Sequence, residues 1–271
     1  MRKSLVAALA AIVALSVVGV AVADNVYTVG GSTSPKGKGS KKKPLPIGLK
    51  FDFQVEEEDS TIRATPIQRF AIGAEGLVTY PEMFPTCKFS QANSSGHKSA
   101  CKKAKVGGGL VQNIVGPAAS RTVKIFCNVS LALYNISGAG KHGGMAIRID
   151  GDPKEPPLSD PSDKTINCPT PIHLSIKSKF VPAKIAGVAA DELRFVVPPD
   201  LLHPSGLDNT VRNTVSQIFK RVSKKGKRIG GKSRKVGFYS AAGCKGGKRT
   251  IQATFTAEDG VKSTATKNGR C

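Results

Sequence analysis

From Ile47 to Val55 every second side chain is apolar. Ile47, Leu49, Phe51, Phe53 and Val55 fall on one face, and Lys50, Asp52 and Gln54 on the other. A period of two marks a half-buried strand, because successive side chains of extended backbone point to opposite sides. The acidic run Glu56-Glu57-Glu58-Asp59 breaks this pattern and reads as a turn. Similar runs, edged by turn residues, recur along the chain. Phe70, Ile72 and Ala74 alternate in IQRFAIGAEGL, and Val129, Leu131 and Leu133 in VKIFCNVSLALYN. MAIRIDG, PIHLSIKSKFV, ELRFVVP, KVGFYS, RTIQATFTA and VKSTATK add further candidates, the first ending in an Asp150-Gly151 turn signal. AKVGGGLVQNIV is apolar but glycine-rich, which predicts a bulge or the close approach of another backbone. No segment carries a helical stripe with caps. GLDNTVRNTVSQIFKRV comes nearest, and its β-branched content favours a strand over residues 207–222.

About ten short strands punctuated by turns imply an all-β fold, an antiparallel β-sandwich of jelly-roll type. Residues 46–271 are assigned to it. Residues 24–45 contain Gly, Ser, Pro and Lys and little to bury. They read as a flexible basic arm with at most a short strand at NVYTV. Residues 1–23 read as a signal peptide: Arg2 and Lys3 precede an apolar run that ends in Ala21-Val22-Ala23. The rival reading is an uncleaved anchor, since the run approaches the length that spans a bilayer. After cleavage no later stretch is long and apolar enough for a membrane span.

Six cysteines on an exported chain read as three disulfides. Six allow fifteen pairings. Position favours neighbours in sequence: Cys87 with Cys101 across a polar loop, Cys127 with Cys168, and Cys244 with Cys271. Metal-ligand spacings such as C-x2-C are missing.

SPKGKGSKKKPLPIGLKFDF, EGLVTYPEMFPTC, CKKAKVGGGLV, LALYN, LRFVVP and VGFYSAAGCKGGKRTIQATFTAEDG together make the chain resemble a family of secreted actinobacterial proteins. The resemblance spans nearly the whole mature chain. It implies an exported, cysteine-containing, β-rich protein and supplies no site residues, because that family has no assigned activity.

Catalytic chemistry finds little footing. His97, His142, His173 and His203 are scattered, and His97 and His142 lie in Ser- and Gly-rich segments that read as solvated loops. No G-x-S-x-G elbow or phosphate loop occurs, and no cofactor motif is present. Asp150, Asp152, Glu155, Asp160 and Asp163 form a second acidic group that reads as a solvated turn, with calcium as the alternative. Asn93, Asn128 and Asn135 begin N-x-S triplets, which in a bacterial host are ordinary asparagines.

Charge is the strong signal. The chain carries a formal +22, and losing Arg2 and Lys3 with the signal peptide leaves +20. One cluster is Lys36, Lys38, Lys41, Lys42 and Lys43. The other is Lys220, Arg221, Lys224, Lys225, Lys227, Arg228, Lys232, Arg234 and Lys235, followed by Lys245, Lys248 and Arg249. No aromatic residue interrupts the second cluster, so base-stacking recognition of nucleic acid has no support. The expected partner is an anionic cell-envelope polymer or polysaccharide, attracted without a shaped pocket. The lysine arm is then expected to act as a tether. The alternatives are a secreted hydrolase of glycans or esters, and a small-ligand carrier. The carrier needs an apolar cavity that the strand pattern does not require.

Overall fold

The computed structural model of the protein describes residues 25–153 and 164–271. Residues 1–23, read above as a signal peptide, and three of the acidic residues, Glu155, Asp160 and Asp163, lie outside the described residues. Among those described, β1 (Asn25–Ser34) and β2 (Leu45–Glu57) come first. β3 (Ile67–Ala74), β4 (Leu77–Thr79), β5 (Lys105–Pro117), β6 (Ile125–Ile136) and β7 (Gly144–Gly151) follow. Next come β8 (Ile172–Ile185), β9 (Val188–Val196) and β10 (Leu207–Ile218). A small hairpin of β11 (Lys227–Ile229) and β12 (Lys232–Arg234) precedes β13 (Tyr239–Ala241), β14 (Lys248–Ala257) and β15 (Lys262–Arg270). Helix is confined to short turns, including α1 (Phe89–Ala92) and α2 (His97–Ala100) in the loop between β4 and β5, and α3 (Pro199–Leu202).

Thirteen strands form one antiparallel sheet in the order β15-β14-β3-β9-β8-β7-β6-β5-β10-β2-β13-β4, with β1 paired to β2. The run β5 to β9 is a meander. Strand β8 belongs to both layers of the sandwich: residues 172–177 pair with β7 and residues 178–185 with β9. The far ends of the sheet also meet. β1 packs on β14 and β15, and Tyr27 stacks on Phe255 with ring centres 4.5 Å apart. The sheet thus wraps around one core.

The alternation in β2 is realised as read. Phe51, Phe53 and Val55 are buried and Lys50, Asp52 and Gln54 are exposed. Phe53 touches Phe70 and Phe255 at centroid distances of 5.7 and 5.3 Å, joining three strands through tilted rings. Val129, Leu131 and Leu133 point inward from β6. The glycines of β5 serve close approach: a Cβ on Gly107 or Gly109 would clash with the carbonyl of Gln217 or Val215 on β10. Residues 207–218 are strand, as their β-branched content indicates.

Several readings are corrected. Of the segment 24–45, the described residues 25–45 are not a flexible arm. β1 pairs with β2 along its whole length, from Asn25 opposite Glu57 to Ser34 opposite Gly48. Its polar composition reflects an edge position, which needs ladder hydrogen bonds more than apolar side chains. The acidic run after Val55 is not wholly a turn, since β2 continues through Glu57, which is buried in an ion pair with Arg121. Asp150-Gly151 is not a turn either. It continues β7, with Asp150 opposite His173.

Cysteine pairs form between Cys87 and Cys101, Cys127 and Cys168, and Cys244 and Cys271, with Cα separations of 5.4, 4.0 and 6.6 Å. These are the pairs that position favoured. The last closes the open end of the β14–β15 hairpin.

Phe53 is a sharp probe of this core. Phe53→Ala is expected to cost about 3–5 kcal/mol in urea unfolding. Phe219→Ala, at a residue 41 % exposed, is expected to stay within about 0.5 kcal/mol.

Candidate polyanion-binding surface

The first basic cluster begins where β1 ends. Ser40 and Lys43 exchange backbone hydrogen bonds of 3.0 and 3.1 Å and close a tight turn. Gly39 bridges to Ala242, and Pro44 is buried. Lys41 and Lys42 stand at the tip, Lys43 closes it, and Lys36 and Lys38 lie on the stem, all exposed. The stem is anchored from below by Arg249, which sequence alone groups with the surface charge. Arg249 is 2 % exposed. It donates to the carbonyls of Glu75, Gly37 and Gly243 and to Thr33 Oγ1, at 3.0 to 3.3 Å. Burial pulls this guanidinium below its ordinary value, against the attraction of Glu75.

The second cluster leaves β10 and folds back on itself. Ser223 and Val236 join through two hydrogen bonds, Ser223 N to Val236 O at 2.8 Å and Val236 N to Ser223 Oγ at 3.0 Å. Above this neck stands the β11–β12 hairpin. Its two-residue turn, Gly230-Gly231, has φ of 57° and 78°. Positive φ at both positions suits the right-handed twist of a hairpin, and glycine adopts it without strain. The pairing sets Lys227 opposite Arg234 and Arg228 opposite Ser233.

The two clusters meet in space. Lys38 and Lys43 from the first, and Arg234 and Lys235 from the second, line one open cleft of about 750 Å³, floored by Pro44 to Pro46. Gly230 faces Lys42, whose Cγ is 3.5 Å from where a Cβ at residue 230 would sit. Most of the charge is uncompensated. Among the described residues Lys227 is the one member of the fourteen with an acidic partner, Glu82, and it also lies over the Tyr80 ring. Arg221 is committed to the carbonyls of Lys103 and Lys105 and lies 5.9 Å from the Phe84 ring centre. Lys36, Lys41, Lys220, Lys224, Lys225, Arg228 and Lys232 are exposed around the cleft elements without an acidic partner among the described residues. The Arg221 contacts add Lys103 and Lys105, exposed residues whose signal was the motif CKKAK.

Sequence reading missed a second basic groove. Arg69, Lys177, Lys179, Arg194 and Lys262 line it on the outer face of β3, β8, β9 and β15. They lie far apart in sequence, and only the register brings them together, with Lys179 opposite Arg194 and Arg69 opposite Thr256.

The histidines also depart from expectation. His97 is no solvated loop residue but 3 % exposed. Its Nδ1 lies 2.8 Å from the Tyr134 hydroxyl and its Nε2 3.2 Å from Asp150. A neutral ring satisfies both, with Nε2–H donating to Asp150 and Tyr134 O–H donating to Nδ1. Asp150 also accepts from Arg148 and lies beside His173. Burial works to raise the Asp150 carboxyl, but the hydrogen bonds from Arg148 and His173 outweigh it and hold it below the usual range. His173 contacts Asp152 through its other nitrogen, and His203 bridges Asp208 and Glu258. His142 is exposed. Among the described residues none of these rings bonds a serine, and no grouping of His, Cys, Asp and Glu has metal-holding geometry. Asn128 and Asn135 are buried.

Comparison with protein-family models, curated proteins and solved structures finds no match. No described helix is long and apolar enough to cross a membrane.

Two measurements check this architecture. Arg249→Leu is expected to speed amide exchange over residues 36–45 and to cost about 2–4 kcal/mol, because several carbonyls lose their donor. Unchanged exchange there would show that the turn holds itself. In an NMR titration, His97 is expected below and His203 above the ordinary value of about 6.5. Burial lowers the first and the hydrogen bond to Glu258 raises the second. Their linkage signs therefore oppose. His203 stabilises fully below pH ~6.5 and loses that increment as pH rises through its raised value. His97 costs stability as pH falls from about 6.5 toward its lowered value. His203→Gln should erase the His203 component alone and leave that of His97.

Proposed function

We propose that the protein is a secreted, disulfide-linked β-sandwich module that associates electrostatically with anionic polymers of a cell envelope. The observation that carries this reading is convergence. Two lysine-rich segments from opposite ends of the chain share one cleft, and nearly all of their cations have no acidic partner among the described residues. A surface that served solubility alone would gain from dispersed charge of both signs. Gathering like charge raises the local potential and favours a polyanion that spans several cations at once. Nothing here reads base edges, so the partner is recognised by charge density. Export rests on the amino-terminal pattern, and the three disulfides fit an oxidising compartment.

The segment 36–43 does not reach outward as a tether in this reading. It is one wall of a fixed platform, held by Arg249 beneath it.

The test is a salt series of binding to isolated cell envelopes and to immobilised dextran sulfate. Changing Lys38, Lys43, Arg234 and Lys235 to Gln should weaken binding at low salt by at least about tenfold. That is a fraction of the roughly 1 kcal/mol per cation found at anionic membrane surfaces. A charge-matched control changes Arg69, Lys177, Lys179 and Lys262 to Gln in the second groove. Equal losses in both variants would show that net charge acts and the cleft does not. Binding indifferent to salt would overturn the electrostatic reading.

A further inference from the structure

Between the layers of the sandwich lies a cavity of about 150 Å³. Phe51, Phe70, Leu131, Met145, Ile147 and Leu193 are among the side chains that face it, and none of its lining residues is charged. A cavity walled only by such groups stays dry and accepts hydrocarbon. One wall here is different. Asn113 on β5, and Asn209 and Thr214 on β10, also line the cavity. They are 5 %, 8 % and 6 % exposed.

Asn113 Oδ1, Asn209 Oδ1 and Thr214 Oγ1 have no hydrogen-bond partner among the described residues. Buried polar atoms in native proteins nearly always have one, so each exception needs an explanation. These three line the same cavity. Asn209 stands opposite Val115, Asn113 opposite Val211, and Thr214 opposite Val111, on every second rung of the β5–β10 ladder. Asn209 is oriented by its amide, which donates to the Leu201 carbonyl at 2.7 Å and leaves Oδ1 as the unmatched end. The wall therefore offers two acceptors and one hydroxyl that can donate or accept.

We propose that this cavity is a binding site for a small, mainly apolar molecule bearing one hydroxyl group, about the size of phenol. The volume matches a cavity known to take benzene. The ligand hydroxyl donates to an asparagine oxygen and accepts from Thr214, while its apolar body fills the space between the phenylalanines. Ionised ligands are excluded, because no lining residue neutralises a charge taken out of water. The site shares no residue with the basic cleft, so the two stand or fall separately.

The experiment titrates the full chain with phenol and, separately, with benzene, followed by methyl and side-chain amide NMR. Saturable shifts at Ile147, Met145, Asn113 and Asn209 are expected, with phenol binding at least about tenfold tighter, the size of one well-made hydrogen bond. The double variant Asn113→Leu, Thr214→Val should abolish that preference while still taking benzene. The ligand comparison on the unaltered chain decides the matter even if the variant fails to fold. Benzene binding as tightly as phenol would overturn the role of the polar wall. Neither probe causing saturable shifts would overturn the site itself and leave the cavity to water.

Discussion

The guanidinium of Arg249 lies where otherwise separate pieces of chain meet. From β14 it reaches the turn after β3, the end of β1, the stem of the lysine turn and the loop that carries Cys244. Taking a cation out of water is costly, and only well-aimed partners offset that cost. A planar fork with five donors suits the task, because it holds several carbonyls at fixed angles. Lysine has no such geometry. The last strands of the chain thereby hold the first one, and the lysine turn inherits a rigid base.

The arrangement sets two electrostatic demands against each other. Cations packed along one cleft repel one another, and that repulsion works against the compact state. The segments that carry them are accordingly braced by non-ionic means: a glycine turn in the β11–β12 hairpin, the Ser223–Val236 neck and the Ser40–Lys43 closure. Acids are spent elsewhere. Glu57 goes to Arg121, Asp208 to Arg63 and His203, and Asp150 to Arg148 and two histidines. The basic surface stays open because the carboxylates are committed to holding loops.

What the sequence made legible was local. Val129, Leu131 and Leu133 alternate within one strand, so their inward face could be read without knowing its neighbours. The three cysteine pairs followed from proximity along the chain. What it hid was pairing over distance. NVYTVGGSTS looks like a linker because it brings little more than Tyr27 and Val29 to the core, and the rest of its contribution is backbone pairing with β2. His97 looks solvated because Tyr134 and Asp150, which seal it, come from β6 and β7. Arg249 looks like one more surface cation, since nothing near it in sequence announces Thr33 or Gly37. The polar wall of the cavity is hidden for the same reason: Asn113 and Thr214 become neighbours only through the β5–β10 register.

The pairing of β3 with β14 sets Phe70 beside Phe255, residues from opposite ends of the chain. Such contacts close large loops, and chains dominated by them fold slowly. Until β14 arrives, the edge of β3 and the interior phenylalanines are open to other molecules, the condition under which unfinished β proteins aggregate. A formal net charge of +22 acts throughout that interval, when no cleft yet exists. The lysines thus keep unfinished chains apart before they form a surface, and mutations that neutralise them are felt in the yield of folded protein as well as in the charge of the folded surface.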